Sequence, residues 1–491
     1  MTIIKRIVRG VAVLALFAGA MALVLAGDRI WAGGHSGGEA SDIKADLLSR
    51  PITPMLGGEG SVDATGPRAF RSILANADNS QLQVYLFGQR IFDAVWDHEP
   101  MISPVLDGLG PMFNGTSCRD CHAGNGRGFP PEEARAQPMK SMLIRLSIPG
   151  EGAHGGPNPV PNYGDQLQDR AVEGVQPEGH ALITYEEAPG EFADGTPYSL
   201  RKPTVQIKNT AYGDLPPDTL MSPRVAQPVI GLGLLAAVPV ETLQALADPD
   251  DKDGDGISGR MNRTWDAATP PGKMSTGRFG WKATAPSTVH QTASAALGDM
   301  GLTSVVFEEN LCEPAQEDCI KTVARSAATA DAPEVHPQLL AGMNMWLNLL
   351  AVPMQRNADD PSIKRGEALF RGIGCVGCHM PTLVTGTHLP PLTDQVIHPF
   401  TDLLLHDMGE GLADNRPDFL ASGREWRTQP LWGIGLTYDV GAHDSYLHDG
   451  RARNLSEAIL WHGGEAESRR EAFSNLSKDQ RGDLLAFLRS L

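Results

Sequence analysis

The chain has 491 residues, with 41 Lys and Arg against 59 Asp and Glu, which leaves a formal charge of −18. Its 41% hydrophobic and 20% charged content is that of an ordinary globular protein and sets a disordered chain aside. The acidity, with no basic stripe to neutralise phosphates, sets nucleic acid aside as a partner.

The length admits about three domains or fewer. The 54 Gly and 37 Pro imply many loops ordered by something other than regular secondary structure. Residues 1–32 read as a targeting segment. Lys5, Arg6 and Arg9 precede an uncharged apolar run over 10–26, and Val24-Leu25-Ala26 fits a cleavage site. That run of 17 residues is at the lower edge of what spans a bilayer, so an uncleaved inner-membrane anchor is the alternative to a cleaved signal. Either way the destination is outside the cytoplasm, and the periplasm is the expectation.

Leu82-Gln83-Val84-Tyr85-Leu86-Phe87 through Ile91 and Phe92 form a candidate entry helix. Cys118-Arg119-Asp120-Cys121-His122 follows, and the same C-x-x-C-H spacing returns at Cys375-Val376-Gly377-Cys378-His379. This is the attachment signature of c-type haem: the thiols add across the vinyl groups, and the adjoining His122 or His379 reaches the iron. A zinc site from two C-x-x-C pairs has them about 15–20 residues apart, whereas positions 118 and 375 are 257 apart. A thioredoxin-like motif needs no following His. Two covalently bound c-type haems are the expected cofactors.

Between Pro130 and Pro217 Gly and Pro abound, with alternating stretches such as Ala181-Leu182-Ile183-Thr184-Tyr185, which predicts a loop and β-hairpin insertion. Asp251, Asp253 and Asp255 stand at positions 1, 3 and 5 of a calcium-loop pattern, with Gly256 at 6 and the carbonyl of Ile257 at 7. Position 12 is Asn262 in place of Glu. A structural Ca²⁺ is the expectation, and a solvated acidic turn the alternative. Cys312 and Cys319, in a polar Pro-containing loop, are expected to pair in an oxidising compartment. A second entry helix is predicted over 361–370, capped by Ser362. At the end of the chain Ser477 and Gln480 make a capping box, and Leu484, Leu485, Phe487, Leu488 and Leu491 share one helical face.

The haem motifs sit in longer echoes. Both read F-x-G-x-x-C-x-x-C-H, from Phe113 and from Phe370, and Q-P-x-x-G-x-G-L recurs at 227–234 and 429–436. The second echo begins 109 residues after Cys118 but 54 after Cys375, so the first unit carries a large insertion. The predicted fold is mainly α: two cytochrome c-like haem domains, the N-terminal one over 33–350 enlarged by a loop and β-hairpin insertion, the C-terminal one over 351–491.

The two C-x-x-C-H units, the run Tyr446-Leu447-His448-Asp449-Gly450-Arg451-Ala452 and the following Leu455-Ser456-Glu457-Ala458-Ile459 resemble the bacterial di-haem cytochrome c peroxidase superfamily. The closer match is its di-haem oxidoreductase subgroup, labelled peroxidases or thiol oxidoreductases. Ser222-Pro223-Arg224, Gly277-Arg278-Phe279-Gly280-Trp281-Lys282-Ala283 and Leu405-His406-Asp407-Met408-Gly409 are similar to that subgroup too. The resemblance implies a second axial ligand to the C-terminal haem fourteen residues after His448. Met stands there in the peroxidases; here it is His462. By spacing alone, His462 ends a short helix capped by Asn454 and Glu457, where a His can also simply face the helix dipole. Met408 is the other candidate. A His/His iron has a lower potential than a His/Met iron.

The expected function is a peroxidase-type oxidoreductase that reduces hydrogen peroxide or another small oxidant at the N-terminal haem, with electrons passed in through the C-terminal haem. A plain di-haem electron carrier, or an oxidase of a protein or organic substrate, is the alternative. The distal acid/base is not assigned. Glu132, Glu133, His154, His180, Glu186 and Glu187 lie in the insertion, and each alone reads as a surface residue. Trp281 reads as a core residue or as a relay between haems. The acidic surface suits a basic small cytochrome, or a cupredoxin, as electron donor, with steering that weakens in salt.

Overall fold

Two pairs of packed helices flank the C-x-x-C-H motifs, and a glycine sets how closely each pair approaches. Asn79–Asp93 starts at a capping box of Asp78 and Gln81 and packs on Pro337–Leu349. A Cβ on its Gly88 would lie 2.1 Å from the Gly342 carbonyl oxygen. Pro361–Gly372 packs on Lys478–Ser490, and a Cβ on Gly366 would lie 2.1 Å from the Asp483 carbonyl oxygen. In the second pair Ser477 and Gln480 form the expected capping box. The cap of Pro361–Gly372 is Asp360, two residues earlier than the expected Ser362. Its carboxylate accepts from the Ser362 N–H at 2.8 Å, because Pro361 has no N–H to offer and fits the first helical position.

Four residues after each close-approach glycine an aromatic ring faces the haem motif. Phe92 lies 6.0 Å from the His122 ring and 4.3 Å from Trp346; Phe370 lies 6.2 Å from the His379 ring and 5.4 Å from Phe487. The spatial counterpart of Phe370 is therefore Phe92, whereas the sequence echo aligns it with Phe113. Phe113 packs instead in a separate apolar cluster with Trp96, Leu109 and Met300.

The second echo is a contact. The Gln227 side chain meets that of Gln429. Gly231, at φ 67°, faces Trp432, where a Cβ would come within 2.4 Å; Gly433, at φ 73°, faces Ile230 at 2.9 Å. The residue before each glycine thus packs on the glycine of the other copy, which is the reciprocity of a local two-fold axis. The largest apolar cluster runs from Leu47 to Leu491 and includes residues of both helix pairs.

The computed structural model describes residues 40–98, 106, 108–327 and 333–491, so the predicted targeting segment lies outside the described residues. Helix makes up 33% and strand 18% of the described residues. Helix leads, but the Gly- and Pro-rich loops are as prominent. The hairpin expected around Ala181–Tyr185 pairs His180–Glu191 with Pro197–Lys208, burying Ala181 and Ile183. It lies across the C-terminal segment: Arg201 donates to the carbonyls of Arg451 and Gly450 at 2.8 and 3.0 Å, and Glu187 pairs with Arg453 at 2.9 Å. A three-stranded sheet places Met142–Glu151 between Pro157–Asn158 and Leu220–Val225. Cys312 and Cys319 form a disulfide, with Cα atoms 5.7 Å apart.

Under this sheet Glu178 is buried, accepting from the Gln168 N–H and from Gln316 Nε2, both at 2.7 Å. Burial pushes its carboxyl from 4.5 up to about 8. Between those values the folded chain keeps a proton that the unfolded chain releases, so this group's contribution to stability falls as pH rises from about 5 to 8. Melting curves across that range should show Glu178→Gln with a flatter pH dependence than wild type, whatever the absolute change. Parallel curves would contradict the assignment.

Candidate functional site

The sequence Ser117-Cys118-Arg119-Asp120-Cys121 closes one helical turn. Asp120 Oδ2 accepts from the N–H groups of Thr116 and Ser117 at 2.9 and 3.1 Å, holding the turn's start. His122 ends that turn, and its Nδ1–H donates to the Gln227 carbonyl at 2.7 Å. A carbonyl only accepts, so Nδ1 carries the proton and Nε2 presents a lone pair. The same device recurs twice. His379 Nδ1 donates to the Phe400 carbonyl at 2.9 Å, and His462 Nδ1 to the Ala458 carbonyl at 2.8 Å. Burial pushes His122 and His379 down to about 4 and also lowers His462, so all three rings are neutral at pH 7. Neutral imidazole with a tied Nδ1 is the form that ligates a metal through Nε2.

These rings face two cavities. Cys118, Cys121 and His122 line one of about 640 Å³. Cys375, Cys378, His379 and His462 line a second of about 190 Å³, with Met408 also in its wall. The four cysteines are not joined in disulfides, and burial pushes the Cys118 and Cys375 thiols up to about 12. At that value neither is a ready thiolate nucleophile, which disfavours dithiol redox chemistry at the motifs. Apolar walls, adjacent thiols and a lone pair aimed inward fit covalently held haem. In that case His122 would hold the group in the first cavity, and His379 and His462 would hold it in the second.

Four residues line both cavities: Arg127, Trp281, Arg427 and Gln429. Trp281 is buried, and its Nε1–H donates to the Val225 carbonyl at 2.9 Å. The tryptophan is thus both a core residue and a part of the shared wall. The motifs of the family resemblance converge behind it. Trp426 stacks on His448 at 3.8 Å, and Lys282 Nζ lies 4.6 Å from the Trp426 ring. Lys282 is fully buried but fully satisfied, donating to Asp414, to the Arg416 carbonyl and to the Ser422 carbonyl at 2.7, 2.7 and 2.9 Å. Arg224 pairs with Asp414 and Asp418 at 3.3 and 2.5 Å. This ion cluster fixes the strand Leu220–Val225 that supplies the carbonyl for Trp281.

None of Glu132, Glu133, His154, His180, Glu186 and Glu187 lines the first cavity. Glu132, Glu133, Glu186 and Glu187 are exposed, and His154 stacks on Trp265 at 3.8 Å. The titratable groups that do line it include His290 and Asp299. Asp299 accepts from Gln166 Nε2 at 3.0 Å, and enclosure raises its carboxyl. Both sit on the helix Thr288–Met300, whose residues gave no motif in the sequence.

Asp251, Asp253 and Asp255 come together, with ligand oxygens within 4.8 Å of one another. Lys44 holds Asp253 at 3.0 Å, so an ion there would have to displace an ammonium. Asn262, the expected twelfth position, is turned away and buried, donating to the carbonyls of Lys282 and Asp418 at 2.8 and 3.0 Å. The Ile257 side chain packs toward Gly377 of the second haem motif, where a Cβ would meet it at 2.4 Å. The loop thereby braces that motif through its apolar residue with or without an ion.

Two cavities with tied histidines and a common wall define a haem redox protein. The chain belongs to the family described as "Di-haem oxidoreductase, putative peroxidase", whose model matches residues 55–491. No curated protein matches the chain. Among solved structures it is similar to hydrazine synthase of Kuenenia stuttgartiensis, at 22% identity over 36% of this chain and 62% of that one, with a TM-score of 0.22. It is also similar to a MauG-like protein associated with microbial copper homeostasis, at 19% identity over 43% of this chain and 71% of that one, with a TM-score of 0.26. The chain spans less than two thirds of the hydrazine synthase chain. Among the described residues no helix is long and apolar enough to cross a membrane.

Proposed function

We propose that this oxidoreductase acts in the periplasm. In this reading it holds covalent c-type haems at Cys118, Cys121, His122 and at Cys375, Cys378, His379, and it reduces hydrogen peroxide at the first. The observation that carries the reading is the asymmetry of the two cavities. The smaller one is lined by a tied histidine from each of two segments, His379 and His462, so it would offer an iron two ligands. The larger has His122 as its one tied ligand and about 640 Å³ of space, a volume in the range of small-molecule sites. When bound, the haems would supply iron redox chemistry toward a small oxidant and a second one-electron store.

The chain's own residues do the rest. The Gln227, Phe400 and Ala458 carbonyls keep each ligand histidine in one tautomer. Moving a proton between peroxide oxygens needs an acid/base on the cavity wall, and that role falls to the Asp299 carboxyl or the His290 ring. Trp281 and Gln429 fill the wall between the two sites. Electrons arrive from a small basic cytochrome or a cupredoxin, drawn to a chain of charge −18.

Electron paramagnetic resonance of the purified protein after partial reduction tests this reading. The expected result is a high-spin ferric signal that changes on adding peroxide. Only low-spin ferric signals, indifferent to peroxide, would replace the reading with a di-haem electron carrier.

A further inference from the structure

Every arginine in the wall of the larger cavity except two has a carboxylate partner. Arg145 pairs with Asp165 at 3.3 Å, Arg224 with Asp414 and Asp418, and Arg416 with Asp418. Arg127 and Arg427 pair with none among the described residues, and these are the two that also line the smaller cavity. Arg427 is 5% exposed. Its Nε donates to the Gly280 carbonyl at 2.9 Å and its Nη2 to Gln429 at 2.7 Å, while its Nη1 has no partner. Arg127 donates from Nη1 to the Leu447 carbonyl at 3.4 Å and stands 5.4 Å from the Trp281 ring, while its buried Nε has no partner.

A buried guanidinium with no anion in contact carries an uncompensated desolvation penalty. A cation–π contact offsets only part of that. Enclosure indeed pulls Arg127 down to about 10 and Arg427 down to about 9. Neither guanidinium has an anion in contact with it: the buried Asp402 carboxylate acts on Arg427 without forming an ion pair and is itself held by His406 at 2.8 Å. An anion must approach from a cavity, because the rest of each side chain is covered by carbonyls and rings. Haem carries two carboxylate side chains, and a planar guanidinium binds carboxylate in a two-toothed fashion.

We propose that Arg127 and Arg427 form one cationic seat for the propionate carboxylates of both haems, placed in the wall that the two cavities share. The inference rests on the haem loading proposed above. It adds that the cofactors present their carboxylate edges to each other across Trp281, and that one pair of charges tunes both irons.

The test uses the loaded holoprotein. Haem per chain is counted by pyridine haemochrome, and both haems are then titrated potentiometrically in wild type, Arg127→Gln, Arg427→Gln and the two Arg→Lys variants. Removing a buried cation favours the ferric state, which carries one more positive charge. Each Gln variant should lower both reduction equilibrium constants roughly tenfold, about 59 mV for a one-electron couple. Each Lys variant should stay within about twofold of wild type and shift the propionate bending bands in the resonance Raman spectrum, because an ammonium cannot reproduce the fork. Fully loaded Gln variants with unchanged potentials would overturn the seat. If the Gln variants load poorly, the Lys variants decide alone, and unchanged propionate bands in them overturn it equally. A wild-type chain with no covalent haem would instead remove the loading on which the inference stands.

Discussion

Replacing His462 by Gly should turn the C-terminal haem from a low-spin into a high-spin ferric centre and leave the haem count unchanged. The His462 Nδ1–H is committed to the Ala458 carbonyl at 2.8 Å, and the ring lines the same cavity as His379. Its proximity is also felt by His379, whose protonation it disfavours. Met408 lines that cavity too, but its side chain packs in the apolar cluster that holds Trp426 and Trp461. Met408→Leu should therefore leave the low-spin signal intact. His462→Met should keep the iron low-spin and raise its potential by on the order of 0.1 V or more, within the roughly 0.8 V that axial ligands command. The opposite pattern, with Met408→Leu going high-spin and His462→Gly unaffected, would move the ligand to Met408 and restore a His/Met iron. Attachment through Cys375 and Cys378 is covalent in this reading, so loss of one axial ligand is read as spin state rather than as haem loss.

What could be read from the chain and what could not divides by the range of the interaction. The C-x-x-C-H units, the Ser477 box and the hairpin around Ala181 are set by residues within one turn or one strand pair; the structure shows the box and the hairpin where expected and puts His122 and His379 on cavity walls. The Phe113 echo is a match of local spacing, whereas the ring at the His122 face is Phe92, from the preceding helix. Arg127 and Arg427 carried no signal. A buried guanidinium looks like any surface Arg until the other side of the cavity is known, and nothing in Gly126-Arg127-Gly128 records that Trp281 and Gln429 are its neighbours. The acidic residues of the insertion read as surface residues from the sequence, and the glutamates are exposed. Glu132 and Glu186 lie in the right insertion, but on its outer face. Asp299 and His290 come from a helix far along the chain, in a segment with no motif. The Asp251 loop shows a partial match resolving into parts: its carboxylates gather as the pattern requires, while Asn262 is drawn into the ion cluster around Lys282.

The glycines at the two helix contacts are the places where a single atom group decides how closely the helices beside each C-x-x-C-H motif can pack. Gly366→Val should destabilise the protein by more than about 3 kcal/mol, the upper end of what overpacking costs. The added Cβ would lie 2.1 Å from the Asp483 carbonyl oxygen and 2.7 Å from the Phe487 Cβ. Both belong to the closing helix, and a backbone carbonyl cannot rotate away as a side chain can. The entry helix would have to move outward, carrying Phe370 off the His379 ring it now faces at 6.2 Å. Gly88→Val should do the same to the N-terminal unit, where the Gly342 carbonyl stands at 2.1 Å and the Trp346 Cβ at 2.5 Å. Gly482, in the same closing helix, is exposed and has nothing within 4 Å of its Cβ position. Gly482→Ala should stabilise by up to about 1 kcal/mol through helix propensity. Measuring haem content and thermal unfolding for the three variants separates the causes. Each valine variant should lose haem mainly from its own unit, and the alanine should keep both haems and melt higher. If Gly366→Val loaded and melted like wild type, close approach of the helices would not be what shapes the site.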